Sequence, residues 1–100
     1  MANKEKMLEW AEVLESGKYK QKVGGWGSLE EGELCCLNVA LVHFTGKDAA
    51  EIPGNSDDVL DVITESFSED RDWCGQFVFM NDVQKFTFPQ IAQEIRKMVA

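Results

Sequence analysis

The chain has 100 residues, 44% of them apolar, with a formal net charge of −8 and only three cysteines. That length supports one hydrophobic core and no second, and no segment approaches the roughly 20 apolar residues of a membrane-spanning helix. The charge is uneven: residues 28–82 hold thirteen acidic and two basic groups, residues 1–27 hold five lysines against four glutamates, and residues 83–100 hold three basic groups against one acidic.

Met7, Trp10, Ala11 and Leu14 recur at i, i+3, i+4 and i+7, the spacing of an amphipathic helix, with Asn3 placed as its N-cap and Gly17 as a left-handed stop. The opening MANKEKMLEW becomes amphipathic at once, without the apolar run and small-residue cleavage site of a secretory signal, so the expected setting is cytoplasmic. From Lys18 to Trp26 no helical period persists. Gly24, Gly25 and Gly27 surround Trp26 and predict a structured loop. Ser28 and Glu31 have the spacing of a capping box, while Gly32 favours a tight turn over residues 30–32 instead, and both readings stand. LCCLNVALVHF, residues 34–44, is apolar on nearly every side and predicts a central helix ended by Gly46; its eleven residues exceed the usual length of a strand, the competing reading.

Residues 51–55 read as a turn around Pro53 and Gly54. Ser56 is expected to cap a third helix with Asp57 and Asp58 at the positive end of its dipole and with Val59, Leu60, Ile63 and Phe67 inside. Trp73, Phe77 and Met80 suit a fourth short helix, although QFVFM alone also fits a strand. Thr87 and Gln90 form the capping box of the last helix, Phe86 and Ile91 its staple, and Pro89 sits in the first turn where its missing N–H costs nothing. Ile91, Ala92, Ile95 and Val99 should face the core, and Arg96 and Lys97 the negative end of the dipole. The expected fold is a single mainly α domain over residues 1–100, with four to five short helices and an irregular glycine-rich loop, with or without a small β-hairpin; an α+β arrangement is the alternative.

The order Trp10, SGKYKQ, a glycine-rich turn, CCLNVAL, then MND and FTFPQIAQEI resembles a family of small proteins of tailed bacteriophages and prophages that read SGxYxQ, CCLGVL, LND and FxxIAxxI. The similarity spans both ends and most of the chain. Ser16, Gly17, Tyr19, Gln21, Cys35, Cys36, Leu37, Val39, Asn81, Asp82, Phe88, Ile91, Ala92 and Ile95 fall on its motif positions. Asn38 stands where the family usually has glycine, Ala40 where it has leucine, and the middle is shorter and more acidic. The resemblance implies a phage origin and an intracellular setting, and no particular reaction.

Chemistry-bearing residues each have a structural explanation. Vicinal Cys35 and Cys36 would bridge each other only through a strained ring, so all three cysteines are read as thiols in a reducing compartment, and the adjacent pair as core. On one helix Cys36 and His43 would lie about 10 Å apart along the axis, beyond the roughly 3 Å of a thiol–imidazole hydrogen bond. Neither the cysteine spacing nor the single histidine matches a zinc site, and DDVLD and SEDRD lack the glycine and terminal glutamate of a calcium loop. GGWG lacks the ending of a phosphate loop. No cofactor and no metal are therefore expected.

In an extended SGKYKQ, Lys18, Lys20 and Lys22 share one face while Tyr19, Gln21 and Val23 share the other. Tyr19 and Gln21 then anchor the loop, or the lysines present themselves to an anionic ligand with Trp26 as a stacking surface. Asn81 and Asp82 read as a turn whose side chains bond the local backbone. The acidic middle repels phosphate backbones and attracts basic surfaces, so direct nucleic-acid binding is disfavoured; the acidity serves solubility or else recruits a basic protein partner through Asp57, Asp58, Asp61 and Glu65. The functional expectation is a small acidic, non-enzymatic phage protein of the host cytoplasm that engages or inhibits a host or phage macromolecule. The alternative is a small-molecule or anion binder, or a minor enzyme, using Lys18, Tyr19, Lys20, Gln21 and Trp26 beside Asn81 and Asp82.

Overall fold

Met7, Trp10, Ala11 and Leu14 form the buried stripe of α1 (Lys4–Glu15), which packs against α5 and α2. The computed structural model describes residues 4–67 and 73–99, except for the side chains of Ser56, Ser66 and Phe67. Asn3, the SEDRD stretch and the packing of Phe67 therefore lie outside the described residues. In order follow β1 (Lys20–Gln21), β2 (Gly27–Ser28), β3 (Glu33–Leu34), α2 (Cys36–Thr45), a 3-10 turn (Ala49–Glu51), α3 (Ser56–Phe67), α4 (Cys74–Asp82) and α5 (Phe88–Val99). The mainly α fold with a minor sheet is as the sequence predicts, and the stretch read as helix or strand is helix from Cys74 onward, with Trp73 at its N-cap.

α2 is the central element. Cys36, Leu37, Asn38, Val39, Ala40 and Leu41 are all buried, and the helix packs against α1, α3, α4 and β3. It begins two residues later than the apolar run suggests, because Leu34 belongs to β3 and Cys35 caps the helix, its sulfur accepting the Asn38 N–H at 3.4 Å. Gly46 ends it with φ 79° and an N–H bonded to the Val42 carbonyl. The Trp10 indole donates to the Cys36 carbonyl at 2.9 Å, fastening α1 to the start of α2. Trp10, Trp73 and Phe77 then close an aromatic trio, with centroids 5.2 to 6.0 Å apart. Ile91, Ala92 and Ile95 seat α5 in the same core.

The sheet has the order β1-β3-β2, with β1 parallel and β2 antiparallel to β3. Ser28 does not start a helix: its hydroxyl accepts the Glu31 N–H at 3.0 Å inside the β2–β3 turn, so of the two readings the turn holds. Gly27 has φ 74°, and a methyl group there would run into the carbonyl of Glu33, which is why the strand crossing demands glycine. The cap of α3 is Asn55 rather than Ser56. Asn55 Oδ1 accepts from the Asp58 N–H and Asp58 Oδ2 from the Asn55 N–H, a reciprocal box at 3.2 and 2.9 Å. Among the described residues no helix is long and apolar enough to cross a membrane.

Candidate functional site

Three side-chain amides decide where the glycine-rich loop lies. Asn81, in the last turn of α4, is wholly buried. Its Nδ2 donates to the Lys22 carbonyl at 2.7 Å and to Asp82 Oδ1 at 2.7 Å, and its Oδ1 accepts from Gln21 Nε2 at 3.0 Å and from the Cys36 N–H at 3.3 Å. Gln21 Nε2 also donates to the Phe86 carbonyl at 2.6 Å. Asn81 is thus a long-range tie and not a local turn. Its amide can both donate and accept, which is what joining three backbone segments in a dry interior requires.

Asn38 is the second tie. Its Nδ2 donates to the carbonyls of Trp26 and Gly27 at 3.0 and 3.2 Å, and its Oδ1 accepts the Ala49 N–H at 2.8 Å. The glycine loop is therefore bolted to α2 and to the 3-10 turn. Nearby, buried Asp48 accepts the Leu29 N–H at 2.7 Å and caps the 3-10 turn through the Glu51 N–H at 3.1 Å.

These ties account for Tyr19, Gln21 and Asn81. Tyr19 packs on the core. The lysines do not converge on one ligand-sized space: the Lys18 ammonium lies 5.5 Å from the Tyr19 ring centroid, Lys20 is exposed on β1, and Lys22 is 3.9 Å from Glu31. The expected alternation holds through Gln21 and ends where Val23 turns outward, 41% exposed.

Trp26 and Asp82 have a different surrounding. With Gly25, Cys35, Leu60 and Val78 they line a pocket of about 260 Å³ between the glycine loop, α3 and α4. Its lining is predominantly apolar, and Asp82 supplies the carboxylate. Asp82 Oδ1 is oriented by the Gly24 N–H at 3.0 Å and by Asn81 Nδ2. Beside the pocket runs α3, whose Asp57, Asp58, Asp61 and Glu65 are exposed. Leu60, Val78 and Cys35 as wall residues, and Asn38 as the bolt, are what the sequence reading misses. Their traces were an apolar residue set between aspartates in DDVLD and an α4 sequence apolar on more faces than one core contact uses: Val78 and Phe79 are 37% and 51% exposed.

The thiols lie in the interior. Burial pushes the Cys35 thiol up to about 12 and, with neighbouring Cys35 and Asp82 adding to it, pushes Cys36 well above its ordinary value. At neutral pH both are thiols rather than nucleophilic thiolates. Cys36 Sγ donates to the Phe77 carbonyl at 3.5 Å, a packing role. His43 faces α1, with Nε2 3.4 Å from Glu9. Among the described residues no three His, Cys, Asp or Glu side chains gather as a metal-binding group. Comparison of the chain with protein families, curated proteins and solved structures finds no match in any of the three.

Proposed function

We propose that the protein is a phage-encoded, non-enzymatic binding protein of the host cytoplasm that engages or inhibits a host or phage macromolecule with a basic surface, using α3 as its acidic face. The observation that carries this reading is the charge arrangement of α3. Asp57, Asp61 and Glu65 form one i, i+4 row on the exposed side, and the helix SDDVLDVITESF contains no basic residue.

Like charges at that spacing destabilise a helix by a few tenths of a kcal/mol per pair. Asp57 and Asp58 are repaid by the positive end of the dipole, but Glu65 sits in the last turn, where a cation is preferred. A local rule broken on a solvent face, next to a pocket, is where an interaction site is expected. Such a face speeds encounter with basic surfaces and turns away acidic ones.

The test is a variant carrying Asp57→Lys, Asp61→Lys and Glu65→Lys, with Asp58 kept because its carboxylate closes the helix cap. Affinity capture from infected-host lysate by the wild-type chain should recover a basic protein that the folded variant fails to recover. Undiminished capture by a variant with unchanged circular dichroism would refute the acidic face.

A further inference from the structure

We propose that the pocket between the glycine loop, α3 and α4 receives one arginine side chain of a basic partner segment, with its apolar stem along Trp26, Leu60 and Val78 and its guanidinium at Asp82. This deepens the reading of α3 as a face for basic partners and rests on it.

Size decides first. At about 260 Å³ the pocket lies just below the roughly 300–1,000 Å³ range of small-molecule and cofactor sites. It is commensurate with a single long side chain. Charge decides next: among the described residues that line the pocket the ionisable groups are the Asp82 carboxylate and the Cys35 thiol, and the neighbouring α3 carries four exposed carboxylates, so a phosphate or carboxylate ligand is disfavoured there.

The pattern of apolar walls with a carboxylate beside an aromatic ring matches the two-part chemistry of arginine, whose alkyl stem buries readily while its planar, weakly hydrated guanidinium takes a carboxylate acceptor more readily than a compact lysine ammonium does. Asp82 is already oriented for this. One oxygen is held by the Gly24 N–H and Asn81, and among the hydrogen bonds formed by the described residues Oδ2 accepts none. Trp26 adds an aromatic neighbour of the kind that attracts guanidinium. Asp57 and Asp61 flank Leu60 in sequence on α3, so basic residues adjacent to the inserted one would meet the acidic row.

The experiment uses the full chain, ¹⁵N-labelled, titrated with an acetylated and amidated heptapeptide of six lysines around one central arginine. A second peptide carries neutral citrulline at the centre. Shifts are expected at the amides of Gly24 and Gly25 and at the Trp26 indole N–H with the arginine peptide, and only along α3 with the citrulline peptide. Asp82→Asn keeps an oxygen for the Gly24 N–H, so the fold is retained while arginine-peptide affinity falls about tenfold. Equal binding of both peptides, or no effect of Asp82→Asn, would overturn the pocket assignment while leaving the acidic face standing if shifts persist along α3. Absence of shifts at both places would overturn the two readings together.

Discussion

Cys35 caps α2, lines the pocket and is only 6% exposed. Its folded-state thiol sits at about 12 against an ordinary 9.0, chiefly because burial penalises the thiolate. Between those two values the unfolded chain releases a proton that the native chain keeps, so stability is complete below pH 9 and falls as pH rises toward 12. The slope is about 1.4 kcal/mol per pH unit for such a thiol; Cys36, displaced in the same direction, adds to it. Urea unfolding at pH 7, 9 and 10 should show this loss, and Cys35→Ala should reduce the slope while costing about 1–2 kcal/mol at pH 7. Thiol reagents should label the native protein slowly. An unchanged alkaline slope in the alanine variant, or rapid labelling at pH 7, would contradict a buried thiol.

At the scale of elements, the C-terminal helix is the clearest case of local instruction. Thr87 Oγ1 accepts the Gln90 N–H at 3.4 Å and Gln90 Oε1 accepts the Thr87 N–H at 2.8 Å, the box written in the sequence. Thr87→Ala should therefore lower stability by about 1 kcal/mol, whereas Gln93→Ala, on the exposed side, should change it by less than about 0.5 kcal/mol. Equal losses in thermal unfolding would place the helix start elsewhere. Signals of this kind are legible because cap and partner lie within one turn of each other. The apolar stripes of α1 and α5 were legible for the same reason: period alone identifies their buried faces. The parallel pairing of Lys20–Gln21 with Glu33–Leu34 was not, since two-residue strands carry no period and the pairing spans a loop. Asn81 and Asn38 escaped likewise. An asparagine that bonds backbone carbonyls of distant segments looks, in a sequence, like one that bonds its own turn. Trp26 and Asp82 could be singled out by type, but the pocket they share exists only once Leu60 and Val78 arrive from two other helices.

Across the whole molecule, stability and charge pull in opposite directions on α3. A net charge of −8 on 100 residues generates self-repulsion in the compact state, and the i, i+4 row of α3 concentrates it on one face. Glu65 is the informative position, because it is a carboxylate in the last turn of a helix that has no basic residue there. Glu65→Lys replaces repulsion of Asp61 by attraction and places a cation at the negative end of the dipole. It should stabilise the fold by about 0.5–1 kcal/mol. If the row serves a basic partner, the same change should slow association of the arginine-centred heptapeptide. Raising salt should slow the wild-type association in the same way, since exposed charges are screened over about 8 Å at 0.15 M ionic strength. The two measurements are made on one protein: denaturant unfolding for stability, and stopped-flow tryptophan fluorescence for the association rate at low and high salt. A variant that is more stable and slower to associate identifies acidity retained for binding at a cost in stability. A variant that is more stable yet associates as fast as wild type, with no salt dependence in either, would reduce the acidic row to a solubility device.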